Sequence, residues 1–199
     1  MDQITQITRR GGVATVSLLS GDELKIPSAV YLERRLRTGE RIDPEAYRAF
    51  MAQRGYPHAL EAAMKFLALR ERSEQEIRSR LRRSCYDDAT IQRVLDTLSL
   101  HGLVSDERFA EQWAHSRSRK YGKNRVAQEL RMKGVSREQA QAVLDAIPDK
   151  VEYGRCLDQA KRLCRKFQSD PKKIAQSLTR KGYAWAMARR AAEEAVTEV

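Results

Sequence analysis

Apolar residues fall along this chain in two periods. Over Val13-Ala14-Thr15-Val16-Ser17-Leu18-Leu19 and again over Glu23-Leu24-Lys25-Ile26 they alternate with polar ones, and Ser20-Gly21-Asp22 lies between. Alternation puts every second side chain on one face, so the two runs predict a β-hairpin, ended by Pro27. Two strands alone are marginal in water, so the hairpin must pack on something. Ser28 to Leu36 has helical character and stops at Thr38-Gly39. Asp43-Pro44 predicts the next helix start, with the carboxylate as cap and proline where no bonded N–H is needed. That helix is expected to run to about Arg54 and close at Gly55.

From residue 57 the period becomes helical and one grammar is used three times. Ala59 to Leu69 predicts a helix with Ala59, Ala63, Phe66, Leu67 and Leu69 on its apolar side. Ser73, with Glu76 three residues on, predicts a capping box that opens a second helix carrying Ile77 and Leu81. Asp87 or Asp88 caps a third, with Ile91, Val94, Leu95 and Leu98 inward, and Gly102 ends it. Ser105 then caps a helix with Phe109, Ala110, Trp113 and Ala114. Another starts near Gly122 with Val126 and Leu130 and stops at Gly134. Ser136 and Gln139 form a capping box for a helix with Ala140, Val143, Leu144 and Ile147, broken by Pro148. The last round reads Val151, Leu157, Ala160, Leu163 and Cys164. Asp170-Pro171 then leads to Ile174 and Leu178, and a final helix carries Ala184, Ala188, Ala191, Ala192 and Ala195.

The three rounds share a register. Ile77, Val126 and Ile174 are 49 and 48 residues apart, and Leu81, Leu130 and Leu178 keep that spacing. So do Cys85-Tyr86, Gly134-Val135 and Gly182-Tyr183, then Ile91, Ala140 and Ala188, and then Leu95, Leu144 and Ala192. A period near 48 with three helices per unit predicts tandem repeats. The fold expected is mostly α: three three-helix units stacked in an elongated, curved array, preceded by the hairpin and two short helices. The expected segments are 1–56 for the hairpin and helices, then 57–102, 103–148 and 149–199 for the units. Cys85 stands where the other two units have glycine, so the second helix of the first unit is expected to end differently.

Composition narrows the class. Of 199 residues, 33% are charged and the net charge is +11, which favours an acidic partner: DNA, RNA or an acidic protein surface. The excess grows along the chain, from nine basic against seven acidic residues in 1–56 to twelve against seven in 149–199. Long apolar runs are missing and the N-terminus does not read as a signal peptide, so the expected location is the cytoplasm, with no membrane partner. Three cysteines, Cys85, Cys156 and Cys164, make a disulfide framework unexpected, and His58, His101 and His115 show no ligand spacing with them.

No catalytic constellation is present. Gly11-Gly12 is followed by a strand and not by Lys-Ser/Thr, so it is no phosphate loop. Asp87-Asp88 and Asp106-Glu107 sit at helix starts, where acids offset orphan N–H groups. No enzyme activity, metal or cofactor is expected.

Three stretches carry a family resemblance. They are Ala63 to Leu81 (AMKFLALRERSEQEIRSRL), Leu98 to Ala110 (LSLHGLVSDERFA) and Ser116 to Ala140 (SRSRKYGKNRVAQELRMKGVSREQA). In these the chain resembles the RecX family, bacterial regulators of the RecA recombinase, from about residue 57 to the end. The first 56 residues match more loosely, through the hairpin and Leu36 to Ile42. The resemblance implies a non-enzymatic protein of three-helix repeats. It implies binding to the RecA filament on single-stranded DNA, in the filament's deep groove. It further implies inhibition of filament growth, strand exchange, ATP hydrolysis and filament-stimulated repressor self-cleavage.

Basic clusters recur where first and second helices of each unit join. They are Arg70 and Arg72; then Arg117, Arg119, Lys120, Lys123 and Arg125; then Arg162, Arg165, Lys166, Lys172 and Lys173. A second set lies at the ends of the middle helices: Arg131 and Lys133, Arg180 and Lys181, with Arg80, Arg82 and Arg83 in the first unit. If units stack, equivalent junctions make a positive stripe suited to phosphates or an acidic groove, which arginine forks meet well. Some of the second set are expected only to satisfy helix C-termini. Tyr121 and Phe167 follow basic pairs and are candidates either for base stacking or for the core. Trp113 and Trp185 are expected to pack.

The favoured partner is the recombinase filament, with bare DNA as a weaker one and the chain acting as a monomer. The alternative is a helical nucleic-acid-binding protein that competes for DNA without touching the recombinase. Sequence-specific reading is disfavoured, because the third helices open with Asp-Ala-Thr, Arg-Glu-Gln and Ala-Trp-Ala and not with base-reading side chains. The hairpin is read as a cap on the first unit, with a second filament contact or edge self-association as alternatives.

Overall fold

A computed structural model of the chain describes residues 1–198. These residues form four strands and ten helices in two compact units, one spanning Met1–Ser105 and the other running from Asp106 onward.

In the first unit the expected hairpin is part of a larger sheet. Strands β1 (Asp2–Arg10), β2 (Val13–Leu18), β3 (Glu23–Pro27) and β4 (Arg41–Ile42) pair antiparallel in the order β3-β2-β1-β4. β2 and β3 behave as the alternation predicts: Ala14, Val16 and Leu18 are buried beside Ile26 and Leu24. β1 escapes the pattern because its apolar residues, Ile4 and Ile7, are three apart. A register shift between Ile4 and Gln6 makes up the odd residue. Ile4 pairs with Leu18, Ile7 with Val16, and both pack on the core. The β1–β2 turn is Gly11-Gly12, with φ of +60° and +86° at its two residues, as the tight primed hairpin turn requires.

Helix α1 (Ser28–Glu33) is shorter than the expected run to Leu36. Leu36 turns inward in non-helical backbone, and the freed carbonyls find phenols: Tyr31 Oη donates to Leu36 O and Tyr47 Oη to Arg34 O, each at 3.1 Å. Helix α2 (Pro44–Leu67) starts as predicted, with Asp43 Oδ1 accepting from the N–H groups of Glu45 and Ala46. It does not close at Gly55. It runs unbroken through Gly55 and Pro57, so the expected boundary at residue 56 lies inside a continuous helix of 24 residues. Pro57 removes one bonded N–H. Gly55 is buried against Tyr86 and Thr90, and a β-carbon there would meet them at 3.7 Å, an ordinary packing distance. Leu69, expected on the apolar side, lies past the end of α2 and is exposed.

Helices α3 (Glu74–Arg83) and α4 (Asp88–Leu100) complete this unit. Ser73 Oγ accepts from Glu76 N–H, and Asp87, not Asp88, caps α4 by accepting from Thr90 N–H at 2.8 Å. One core joins the sheet to these helices, from Ile4 and Ile26 through Ala59 and Ala63 to Leu98 and Val104.

The second unit holds α5 (Asp106–Arg117), α6 (Lys123–Met132), α7 (Arg137–Asp145), α8 (Asp149–Phe167), α9 (Pro171–Arg180) and α10 (Trp185–Thr197). Phe109, Ala114, Val126, Leu130, Ala140 and Leu144 centre one cluster, and Cys156, Ala160, Cys164, Ile174, Leu178 and Ala188 another. The Ser136–Gln139 capping box is reciprocal, and Asp170 Oδ1 accepts from Lys172 and Lys173 N–H. On α8 the buried stripe is Glu152, Cys156, Gln159, Ala160 and Cys164. Val151 is exposed, and so is Ala184, which precedes α10 as its N-cap.

Apart from the turn residues Cys85, Gly134 and Gly182, the residues of the 48–49 register are buried: Ile77, Val126 and Ile174; Leu81, Leu130 and Leu178; Tyr86, Val135 and Tyr183; Ile91, Ala140 and Ala188; Leu95, Leu144 and Ala192. Fully burying such an aliphatic side chain stabilises by roughly 1.5–3 kcal/mol. The helices before these turns also end alike, against the expectation for Cys85. Cys85 adopts φ +62°, the left-handed conformation that Gly134 and Gly182 take at +86° and +92°. Tyr86 N–H donates to Leu81 O, Val135 N–H to Leu130 O and Tyr183 N–H to Leu178 O, the six-to-one bond of a Schellman ending.

Candidate interaction surface

The sequence-predicted cations divide into those the fold consumes and those it leaves to solvent. Arg70 and Arg72 belong to the first group. Arg70 Nη2 pairs with Glu76 at 3.0 Å and Nη1 donates to Glu71 O. The Arg72 guanidinium lies 3.8 Å from the centroid of Phe66 and its Nε reaches Phe66 O. Both hold the turn between α2 and α3.

Arg117 is likewise engaged. Its Nε and Nη2 donate to the two oxygens of Glu129, each at 2.6 Å, in a bidentate fork. Glu129 also accepts from Trp113 Nε1 at 3.2 Å and meets Arg125 at 3.4 Å. Arg117 and Arg125 lie over the Tyr121 ring at 4.4 and 4.3 Å, and Lys133 sits 4.7 Å from the Trp113 ring. Tyr121 is therefore committed to guanidinium contacts and is no ready platform for a base. Trp113 packs against Phe109, as expected, whereas Trp185 is half-exposed. The fork to Arg117 holds the Glu129 carboxyl below its ordinary value, against the opposing effect of burial.

Lys123 joins α6 to α8. Its ammonium meets Asp149 at 2.9 Å and Glu152 at 3.7 Å, while its backbone N–H donates to Glu152 Oε1. The neighbouring N–H groups of Gly122 and Asn124 donate to the carbonyls of Lys181 and Gly182. All three donors at the start of α6 are thus taken up by α8 and the α9–α10 turn, and that helix end is closed to an outside anion.

The remaining cations face solvent. Lys120, Arg131, Arg162, Arg165, Lys172 and Arg180 are exposed and have no carboxylate within ion-pair distance among the described residues. Arg119 touches His115 Nε2 at 3.3 Å, Lys166 lies over Phe167 at 5.4 Å and Lys173 pairs with its own cap, Asp170. Lys181 is half-buried and donates to Gln159 Oε1 at 2.6 Å. Burial lowers its pKa, and the nearby cations Arg162 and Lys166 lower it further against the opposite influence of Tyr121. An open groove of about 580 Å³ between α6 and α9 is lined by Asn124, Arg125, Gln128, Met132, Thr179 and Arg180. In the first unit Arg83 donates to Ser79 O and Arg82 pairs with Asp88, which are local helix-end roles.

The partners Glu129, Glu152 and Gln159 escaped the sequence reading. Glu129 had a signal, its i,i+4 spacing from Arg125. The other two depend on how α8 is buried, which spacing alone does not give.

Among the described residues no group of three or more His, Cys, Asp or Glu is placed to hold a metal ion. Cys156 and Cys164 are buried in the core under α8, and Cys85 is half-buried. No helix among the described residues is long and apolar enough to cross a membrane.

Comparison with known proteins agrees with the fold and gives the family. The family model for the first three-helix domain of RecX matches residues 59–98, and that for the second matches residues 105–144. The regulatory protein RecX of Mycobacterium sp. (strain KMS) is 36% identical over 140 residues, covering 63% of this chain and 74% of the relative. That of Clostridium tetani (strain Massachusetts / E88) is 25% identical over 195 residues, covering 93% and 90%. The fold matches a crystal structure of regulatory protein RecX with a TM-score of 0.66 at 20% identity, over 97% of this chain and all of the other. RecX from Lactobacillus salivarius gives 0.65 at 21% identity, over 72% of this chain and 97% of that one. The chain belongs to the RecX family, a family of regulatory proteins and not of enzymes.

Proposed function

We propose that this protein regulates the RecA recombinase by binding its filament on single-stranded DNA and limiting filament growth, ATP hydrolysis, strand exchange and repressor co-cleavage. The observation that carries the reading is family membership joined to a surface of unneutralised cations on the helices after Asp106. Such a surface suits a filament whose exposed groups are phosphates and carboxylates.

The working body is three tandem three-helix units over 57–102, 103–148 and 149–199, with 1–56 as an N-terminal segment. The shared buried register and the three matching helix endings support it. The first unit then shares its opening helix, α2, with that segment. The action is mechanical: helical units in the filament groove block subunit addition and the entry of duplex or repressor. Arg119, Lys120, Arg131, Arg162, Arg165, Lys166, Lys172, Arg180 and Lys181 supply the contacts. Arg70, Arg72, Arg117, Lys123, Arg125, Lys133 and Lys173 are each engaged in local ion pairs or ring contacts and add charge beside them.

The second reading, competition for DNA without recombinase contact, is favoured by the same net charge. Co-sedimentation separates the two. Binding to recombinase-coated single-stranded DNA should exceed binding to the bare strand at equal salt. Equal binding to both would favour the competitor.

A further inference from the structure

A groove of about 330 Å³ opens on the second unit between α5 and α7. Its apolar side is Ala142, Val143, Ala146 and Ile147, on α7 and just past its end. Val143 and Ile147 are half-buried and pack on the core beneath, whereas Ala142 and Ala146 are exposed, so their short side chains leave the space open. The other wall is α5, where Glu107 and Glu111 both line the groove at an i,i+4 spacing. Both are exposed, and neither has a cation within ion-pair distance among the described residues. His115, one turn further along α5, faces Arg119 at 3.3 Å. Arg155 of α8 also lines the groove, half-buried and without a carboxylate partner among the described residues. Like charges one turn apart weaken a helix. The helix start accounts for Glu107, in the first turn of α5, but not for Glu111, which lies beyond it.

In a chain of net charge +11 this is a local reversal of sign, set against apolar surface. Two free carboxylates repel phosphates, so nucleic acid does not fit here. A protein segment does. One large apolar side chain fills the space over Ala142 and Ala146, and a lysine or arginine beside it meets Glu107 and Glu111. Arg155 is then free to donate to a carbonyl or carboxylate of the same segment. We propose that the α5–α7 groove docks a protein segment in which a large apolar side chain lies beside a lysine or arginine, and that a recombinase protomer of the filament presents it. The choice of partner rests on the reading above. It gives the groove the protein part of the filament, which the exposed cations do not select.

The test measures two affinities of the full chain at one salt concentration. One is for recombinase filaments on single-stranded DNA, by co-sedimentation. The other is for a bare labelled oligothymidylate, by anisotropy. Glu107→Lys/Glu111→Lys should weaken filament binding about tenfold, as loss of complementary charge at an interface does. The same pair should hold or raise affinity for the bare strand, because each reversal adds positive charge. Ala142→Trp fills the groove without changing charge. It should also weaken filament binding about tenfold, with bare-strand affinity unchanged. All three positions are exposed, and circular dichroism with a urea midpoint confirms that the variants fold. Unchanged filament binding in both folded variants would overturn the groove, and would leave the proposed function standing where wild type still prefers the filament. Filament and bare-strand binding that fall together would also overturn it, since the groove is assigned to protein alone. Wild type that binds filament no better than bare strand would refute the proposed function and, with it, the recombinase as occupant.

Discussion

Gly122 and Gly182 meet backbone to backbone: a β-carbon on Gly122 would stand 2.4 Å from the Gly182 carbonyl oxygen, and one on Gly182 would stand 2.4 Å from the Arg125 β-carbon. Through this contact the start of α6 docks on the α9–α10 turn. Gly182 also has φ +92°, so it serves both as helix ending and as docking surface. Gly122→Ala and Gly182→Ala should each destabilise the protein by about 2–4 kcal/mol, since backbone has to shift and three bonded N–H groups are disturbed. Urea unfolding of the full chain checks this, and an unchanged midpoint would mean the joint is loose.

Cys85→Gly should have the opposite sign. Cys85 carries the left-handed turn that glycine carries at its two counterparts, at a steric cost of about 1 kcal/mol. The substitution should raise stability by roughly 0.5–1 kcal/mol, read as a higher urea midpoint with unchanged slope. A fall would show that packing of the half-buried thiol outweighs the relief.

Glu129 links stability to pH. Its folded carboxyl titrates below its ordinary value of 4.5 because Arg117 donates to both oxygens. A depressed folded pKa contributes stability that is full above the unfolded value and lost as pH falls through the folded one. Wild type should therefore lose stability below about pH 4.5, and Glu129→Gln should remove part of that slope. At pH 7 the substitution should cost about 1–3 kcal/mol, by weakening charged hydrogen bonds to Arg117. Chemical denaturation at pH 7 and at pH 3.5 gives both quantities.

Arg117 and the pair Arg162 and Lys166 should separate folding from binding. Arg117→Ala should lower stability by about 1–3 kcal/mol, because it leaves Glu129 without its fork partner. Arg162→Gln/Lys166→Gln should leave stability within about 0.5 kcal/mol, as surface changes do, while weakening filament association. Thermal melts beside filament co-sedimentation would show the reverse pattern if the assignment of the two groups were wrong.

The helices and caps were legible because their chemistry is local. Asp43-Pro44, Ser136 with Gln139, and Asp170-Pro171 start helices as their residues dictate. The 48–49 register was legible because burial repeats with it. β1 was not, because a bulge breaks its alternation, and the length of α2 was not, because Gly55 reads as a stop although the helix continues through it. The surface was half legible. Charge marks Arg117 and Arg162 alike, and only the position of Glu129 shows that one cation is spent while the other stays exposed without a carboxylate among the described residues.

The central claim is that this protein acts on the recombinase filament. The most direct test is ATP hydrolysis by the RecA recombinase of the same organism on single-stranded DNA, with this protein added after filaments form and at amounts far too low to coat the strand. The account predicts that hydrolysis falls at those amounts. Hydrolysis that is untouched, or that slows only when the DNA is saturated, would contradict it and leave a protein that competes for nucleic acid.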